Sequence, residues 1–139
     1  MNMRRLRKLV ATLLLSVMSF NIFADGTVVS PGQQATVTIA PNGVPIVNIN
    51  APNAGISVTN FQEFNVGANG EVINDADNTG RSFVAGLIPG NPNYGPNQAA
   101  QLIILQVNGS NRSTIEGYLE VLSRSKPNVI LSNENGITA

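Results

Sequence analysis

The segment Ala35–Ile49, ATVTIAPNGVPIVNI, decides the fold class of this chain. On both sides of the pair Asn42-Gly43, aliphatic residues alternate with Thr, Pro or Asn, which is the period of a half-buried β-strand. Asn-Gly itself is a turn signal, because both residues tolerate the left-handed backbone region. The segment therefore predicts two strands, at Ala35–Ile39 and Val44–Ile49.

The rest of the chain repeats this succession of turn residues and short β-branched runs. Further turns are predicted from Gly, Asn and Pro at Pro31-Gly32, Asn69-Gly70, 89–93 and Asn135-Gly136. Further strands are predicted at Ile56–Val58, Phe61–Val66, Ser82–Ala85, Gln101–Val107, Ile115–Leu122, Val129–Leu131 and Ile137–Thr138. A helix over Asn97–Val107 is an alternative, because Ala and Leu recur there. The class is all-β, with at most one short helix.

Strand-and-turn units recur loosely along the chain, and their spacing bears on the architecture. From about Asn50 onward, strand-and-turn units return every 20 or so residues, with asparagine at the corners. Stacked coils of a β-solenoid have periods of this order, and their asparagines can hydrogen-bond from one rung to the next. A β-sandwich gives similar short strands, so both architectures stay open at this point. The few aromatic residues indicate an aliphatic core.

The N-terminal segment, residues 1–24, has the layout of a secretory signal. Four basic residues precede an apolar run at Leu9–Phe20, and a small residue, Ala24, comes before an abrupt polar change. The run is shorter than the roughly 20 residues that span a bilayer. We expect cleavage after Ala24; an uncleaved amphipathic anchor is the alternative.

Loss of that leader changes the charge balance. The four remaining bases, at Arg81, Arg112, Arg124 and Lys126, face eight acidic side chains. So few scattered bases offer no footprint for nucleic acid and disfavour anionic membrane surfaces. We expect neither partner, and no stable membrane insertion after cleavage.

The sequence lacks most of the chemistry that enzymes use. It contains no histidine and no cysteine, which excludes His-dependent triads, thiol nucleophiles and His/Cys metal sites. Ser123–Lys126 matches a serine–lysine nucleophile pattern but is better explained as a polar turn before Pro127. Asp75–Gly80 resembles the start of a calcium loop, yet lacks the closing glutamate, so an exposed acidic turn is predicted. Glu116 and Glu120, on one predicted strand, are expected to be solvated outer-face charges.

Five segments carry a specific resemblance. In this order along the chain, they resemble the filamentous haemagglutinin N-terminal domain, which is the secretion domain of two-partner exoproteins. The match extends from about Gly32 to the last residue. The segments are 42–49 (NGVPIVNI), 61–67 (FQEFNVG), 91–94 (NPNY), 117–121 (GYLEV) and 129–138 (VILSNENGIT).

This resemblance implies a fold and a function. The fold is a right-handed parallel β-helix with N-terminal capping strands, here incomplete at its C-terminal end. The domain would leave the cytoplasm of a Gram-negative bacterium through the general secretory machinery. A partner outer-membrane β-barrel transporter with periplasmic receptor domains would then recognise it, and the protein would reach the cell surface or the medium. The resemblance implies no catalysis and no cofactor.

Two short family motifs correspond to positions of this chain. The first, Asn-Pro-Asn-Leu, corresponds to Asn91, Pro92, Asn93 and Tyr94, with tyrosine in place of leucine. The second, Asn-Pro-Asn-Gly, corresponds to Asn133, Glu134, Asn135 and Gly136, with glutamate in place of proline. Proline fixes the φ angle that the second position of a turn requires, and glutamate does not, so we expect a looser turn of similar shape there. The asparagines either support transporter recognition or only shape turns, and the sequence leaves both roles open.

The resemblance also divides the chain. We expect a signal peptide at residues 1–24 and, at 25–139, the N-terminal part of a truncated two-partner secretion domain. Its function would be to target export and to nucleate the β-helix of a large adhesin, haemolysin or contact-dependent inhibition protein. One alternative is a stand-alone structural or adhesive surface protein. A more remote alternative is a polysaccharide-active β-helix enzyme, which the scarcity of bases disfavours.

Overall fold

The structure, a computed structural model, describes residues 26–139. Residues 1–25 lie outside the described residues, and so do the expected leader and the expected cleavage after Ala24. Within them every regular element is a β-strand, which confirms the all-β class. The strands are β1 Val28–Val29, β2 Thr36–Ile39, β3 Pro45–Asn48, β4 Ile56–Glu63, β5 Glu71–Asn74, β6 Gly80–Ser82, β7 Gly86–Ile88, β8 Leu102–Val107, β9 Ser113–Thr114, β10 Leu119–Leu122, β11 Asn128–Asn133 and β12 Ile137–Thr138.

Three parallel ladders organise these strands. The first joins β3, β5 and β10, and the second joins β4, β8 and β11. The third joins Val66 to Ile115 and β9 to β12. The chain visits the ladders in the same order three times, and so forms three stacked coils: β3–β4–Val66, β5–β8–β9 and β10–β11–β12. The sequence left a β-solenoid and a β-sandwich open, and this succession of strands favours the stacked coils of a solenoid.

The repeat length is set by the register. Leu102 of β8 pairs with Asn128 of the next coil, and Ser113 of β9 pairs with Ile137. The unit between paired positions is therefore longer than the roughly 20 residues expected from the sequence. The second coil also carries an insertion, because residues 75–101 connect β5 to β8, whereas residues 123–127 make the equivalent connection in the third coil.

Two antiparallel strands lie on the outer side of the first coil. Strand β1 pairs with β4, and β2 pairs with β3, so each of the two larger ladders ends in an antiparallel strand. They occupy edges of parallel sheets whose backbone groups would otherwise lack partners.

Two hydrophobic clusters hold the coils. The larger lies inside them and includes Ile73, Ile103 and Leu105, each fully buried. Its centre also contains Phe61 and Phe64, whose rings meet edge to face at 5.1 Å, so the core is less purely aliphatic than expected. The smaller cluster lies between the first ladder and the β6–β7 hairpin, which belongs to the insertion.

Several sequence expectations are wrong. Strand β5 was not predicted, because all four of its residues are buried and the strand shows no alternation of apolar and polar positions. The expected strand Ile115–Leu122 is broken, and only β10 forms within it. The alternative helix at Asn97–Val107 is replaced by β8. Residues 56–63 form one strand rather than two.

The predicted strand is interrupted at Gly117, where the backbone comes close to the preceding coil. A Cβ atom there would overlap the carbonyl oxygen of Gly67, so this close approach requires glycine. Glu116 lies at a corner, outside β10, and not on one strand with Glu120 as the sequence suggested.

A matched pair of glycines tests the stacking of the coils. A Cβ atom at Gly109 would overlap the carbonyl oxygen of Gln62 in the first coil, whereas one at Gly67 meets nothing within 4 Å. We expect Gly109→Ala to lower the free energy of unfolding by about 1–3 kcal/mol, as overpacking does. Gly67→Ala should leave it within about 1 kcal/mol of wild type. Urea unfolding followed by circular dichroism measures both, and equal stabilities would contradict this stacking.

Candidate functional site

The first motif forms a tight turn whose amides point into the protein. The Asn93 backbone N–H donates to Oδ1 of Asn91 at 2.8 Å, and the Tyr94 N–H donates to the Asn91 carbonyl at 3.0 Å. These bonds close a β-turn in which Pro92 occupies the exposed second position. Proline is tolerated at this position without loss of a hydrogen bond, because the second residue of the turn needs no N–H donor.

The same asparagines connect the insertion to two coils. Nδ2 of the buried Asn91 donates to the carbonyls of Ile49 in the first coil and Asn74 in the second, at 2.9 and 2.8 Å. Nδ2 of Asn93 donates to the carbonyls of Asn48 and Ile49 at 3.2 and 3.1 Å. These carbonyls lie at or just beyond the ends of β3 and β5, so the turn fastens the insertion to the ends of both strands.

The second motif repeats this arrangement at another corner. The Asn135 N–H donates to Oδ1 of Asn133 at 2.9 Å, and the Gly136 N–H donates to the Asn133 carbonyl at 3.0 Å. Glu134 is exposed at the position of Pro92, so glutamate supports a turn with the same hydrogen bonds. Gly136 has a φ angle of 103°, which residues with a side chain rarely adopt.

This turn also reaches the preceding coil. Nδ2 of Asn133 donates to the Asn111 carbonyl and to Oγ of Ser113, both at 2.9 Å. Nδ2 of Asn135 donates to the Gly109 carbonyl at 2.8 Å. In both motifs, therefore, the first asparagine closes the turn with its oxygen, and both side chains bind a neighbouring coil with their nitrogens.

A buried aspartate, which sequence reasoning misassigned, anchors the first motif. Asp75 follows β5 and is fully buried, not part of an exposed acidic turn. Its carboxylate accepts hydrogen bonds from the Tyr94 hydroxyl at 2.6 Å, the Ser123 hydroxyl at 2.6 Å and the Ala100 N–H at 3.0 Å. Burial and this carboxylate raise the pKa of the Tyr94 phenol. Asp75 thus joins both ends of the insertion to the third coil.

An asparagine pair runs along the first ladder. Nδ2 of Asn74 donates to Oδ1 of Asn48 at 3.0 Å, and both residues are buried. Asn48 in turn donates to the hydroxyls of Thr36 and Thr38 on β2, each at 3.3 Å. The expectation that asparagines bond from one rung to the next is confirmed here.

The other polar motifs serve the structure too. Ser123–Lys126 forms the turn between β10 and β11, as expected. Glu120 is not simply solvated, because its carboxylate accepts from the Ser82 hydroxyl and the Phe83 and Val84 N–H groups at 2.9–3.1 Å, and so holds the tip of the hairpin. Among residues 26–139, no group of three acidic, His or Cys side chains is arranged to hold a metal ion.

An ion pair lies beside the first turn of the insertion. Arg124 binds the carboxylate of Asp77 at 2.9 Å, and this contact lowers the pKa of Asp77. No helix in residues 26–139 has the length and apolarity required to cross a membrane.

The fold and site together define a class of protein: an all-β domain of stacked parallel coils whose polar side chains clasp one coil to the next. Comparison with known families makes this specific. The family model described as the TPS secretion domain matches residues 21–139. The chain belongs to the TPS secretion domain family, as the sequence resemblance suggested.

Individual relatives agree with this assignment. The tRNA nuclease CdiA of Escherichia coli O6:K15:H31 (strain 536 / UPEC) is 44% identical over 119 residues, covering 83% of this chain and 4% of that protein. The hemolysin of Proteus mirabilis is 39% identical over 133 residues, covering 94% of this chain and 8% of that protein. The chain thus spans only a small fraction of these relatives.

A solved structure is similar as well. The crystal structure of the filamentous hemagglutinin secretion domain superposes with a TM-score of 0.72 at 36% sequence identity. The match covers 81% of this chain and 37% of that one.

The contrast between Asn91 and Pro92 supplies a test of the first motif. Asn91→Ala would remove the side-chain donor of the Asn74 carbonyl and one of the two side-chain donors of the Ile49 carbonyl. We expect it to lower the free energy of unfolding by about 1–3 kcal/mol. Pro92→Ala changes an exposed position and should cost less than about 1 kcal/mol. Urea denaturation compares the two variants. A larger loss of unfolding free energy in Pro92→Ala than in Asn91→Ala would contradict the stabilising role of the Asn91 hydrogen bonds.

The Arg124–Asp77 pair gives a pH dependence of defined sign. The pKa of Asp77 is lower in the folded protein than in the unfolded chain, where it is about 3.9. The pair's contribution to stability is therefore complete above about pH 4 and is lost as pH falls through the folded pKa. Arg124→Gln should reduce the stability difference between pH 6 and pH 2.5, measured by thermal denaturation. An unchanged difference would show that the pair contributes nothing.

Proposed function

We propose that this chain is the targeting module of a two-partner secretion system. Its partner outer-membrane β-barrel transporter, through periplasmic receptor domains, would recognise it after export by the general secretory machinery. The family match over residues 21–139 carries this proposal, since proteins of the TPS secretion domain family are secreted or surface-exposed. The expected leader at residues 1–24 supplies the route into the periplasm.

The same proposal assigns the finer features of the fold. The coils form a right-handed β-helix, the hand that parallel crossover connections almost always take. Strands β1 and β2 cap its first coil. Val129 faces inward like its neighbour Ile103, yet is 38% exposed where Ile103 is fully buried. A further coil of a longer protein, stacked on β10, β11 and β12, would cover it, and the far greater length of the relatives supports this.

The two asparagine motifs take an indirect role in this scheme. Nearly all their side-chain donors are used between coils, and only Pro92 and Glu134 are exposed at the turns. We infer that the motifs support transporter recognition by holding the insertion and the corners in place. The chain itself carries out no catalysis; a nuclease, haemolysin or adhesin activity would belong to the rest of a large exoprotein.

One feature favours the alternative of a stand-alone adhesive surface protein. The rings of Phe83 and Tyr118 are 81% and 69% exposed and lie edge to face at 5.6 Å. Exposed aromatic pairs suit stacking against ligands such as sugar rings. This alternative requires no transporter, which separates it from the main proposal.

Export in the presence and absence of the transporter is the decisive experiment. We expect the chain to accumulate in the medium of a Gram-negative host that produces the transporter and to stay in the periplasm of one that lacks it. Immunoblots of the fractions, with a periplasmic marker enzyme as the leakage control, measure this. Equal amounts in the medium of both hosts would refute the proposal.

A further inference from the structure

Asparagine–glycine pairs occur at four places in the chain: Asn42-Gly43, Asn69-Gly70, Asn108-Gly109 and Asn135-Gly136. In such a pair the glycine nitrogen can attack the asparagine side chain, because glycine has no Cβ atom to hinder the approach. The fold controls this attack in two ways. It can hold the asparagine side chain away from the backbone, and it can hold the glycine N–H in a hydrogen bond.

Two of the pairs are held at both atoms. Nδ2 of Asn42 donates to the Val84 carbonyl at 2.9 Å, and the Gly43 N–H donates to the Ala40 carbonyl at 2.8 Å. The pair at Asn135 is held in the same way by the hydrogen bonds of the second motif. Both pairs must break two contacts before they can react.

The pair at Asn69 is held at one of its two atoms. Asn69 is exposed, and its side chain makes no hydrogen bond within residues 26–139. Gly70, however, is buried, and its N–H donates to the Gly67 carbonyl at 3.0 Å. Local opening must release this N–H before the nitrogen can react.

The pair at Asn108 is held at neither atom. Asn108 lies just beyond the end of β8 and is exposed. Among the described residues, no acceptor or donor binds its side chain, and none accepts from the Gly109 N–H. The backbone N–H of Asn108 does donate, to the Phe61 carbonyl at 2.8 Å. The reacting atoms are therefore without competing hydrogen bonds at the end of an ordered strand.

We propose that Asn108 is a site of spontaneous deamidation in the folded protein, and that the isoaspartate formed there loosens the second motif. The backbone nitrogen of Gly109 loses its proton to solvent and bonds to Cγ of Asn108. The Cγ–Nδ2 bond breaks, Nδ2 leaves as ammonia with a proton from solvent, and a succinimide ring remains. Water opens the ring at either carbonyl, which gives aspartate or isoaspartate. No group is oxidised or reduced, and water is the only co-reactant.

The isoaspartyl product changes a contact between coils. In isoaspartate the backbone passes through the former side chain and gains an extra methylene group before Gly109. The Gly109 carbonyl accepts from Nδ2 of Asn135 at 2.8 Å, and a Cβ atom at Gly109 would overlap the Gln62 carbonyl oxygen. The longer backbone cannot keep both of these close contacts, so the third coil loses part of its attachment to the second.

Peptide mapping by mass spectrometry, on purified chain aged in mildly alkaline buffer, tests the site. The four pairs are controls for one another, because they share the same chemistry and differ in their surroundings. In the folded protein, Asn108 should deamidate at least about 10-fold faster than Asn42 and Asn135, with Asn69 between them. In urea the four should react at similar rates. Equal rates in the folded protein, or the same ranking in urea, would overturn the inference.

Two matched variants repeat the test on the whole protein. Glutamine cyclises far more slowly than asparagine, because the ring it would form is larger. Asn108→Gln should therefore remove most of the acidic form that ageing produces, as measured by ion-exchange chromatography. Asn69→Gln, at another exposed position, should remove little of it. An equal or larger effect of Asn69→Gln would contradict the selection of Asn108 by the fold.

The effect on the second motif is measured by comparing two products of equal charge. The isoaspartyl form, separated from aged protein, differs from the variant Asn108→Asp in its longer backbone and not in its charge. We expect the isoaspartyl form to unfold at a lower urea concentration, followed by circular dichroism. Equal unfolding midpoints would overturn the loosening of the second motif.

Discussion

The structure depends on hydrogen bonds that asparagine side chains make at the corners between coils. Parallel strands pair along three ladders, but each corner leaves backbone carbonyls without ladder partners, and burying such groups unpaired is costly. Asn91, Asn93, Asn133 and Asn135 donate to these carbonyls or to groups beside them. A short amide side chain is suited to this because its oxygen can close the local turn while its nitrogen reaches the next coil. These four asparagines thus help to hold the coils in their stack.

The same bonds position the insertion of the second coil. Residues 75–101 could have formed a loose loop, yet Asp75, Asn91 and Tyr94 fasten them to all three coils. Fastened in this way, the hairpin covers the first ladder and leaves the second exposed. The insertion therefore decides which of two similar sheets is covered, and the motif at Asn91 and Asn93 holds the insertion in that place.

Sequence reasoning succeeded where turn residues bounded short runs of β-branched residues. The turn at Asn42-Gly43 marked the strands on either side of it, although β3 is buried on both faces, and turn residues marked most other corners. It failed at β5, where the hairpin covers the outer face and the coil interior covers the inner one, so that Glu71 and Asn74 are as buried as Val72. It also failed at Asp75, whose partners Tyr94, Ala100 and Ser123 lie 19, 25 and 48 residues away. No local pattern encodes contacts that only the stacking register brings together.

Residue-resolved amide hydrogen exchange tests the stacked-coil account most directly. Strand β8 lies between two parallel neighbours, whereas β11 has one neighbour among the described residues. The account predicts that amides of Ile103 and Leu105 exchange far more slowly than those of Val129 and Leu131, which pair with them. Equal protection in both strands, or slower exchange in β11, would contradict the arrangement of the three coils.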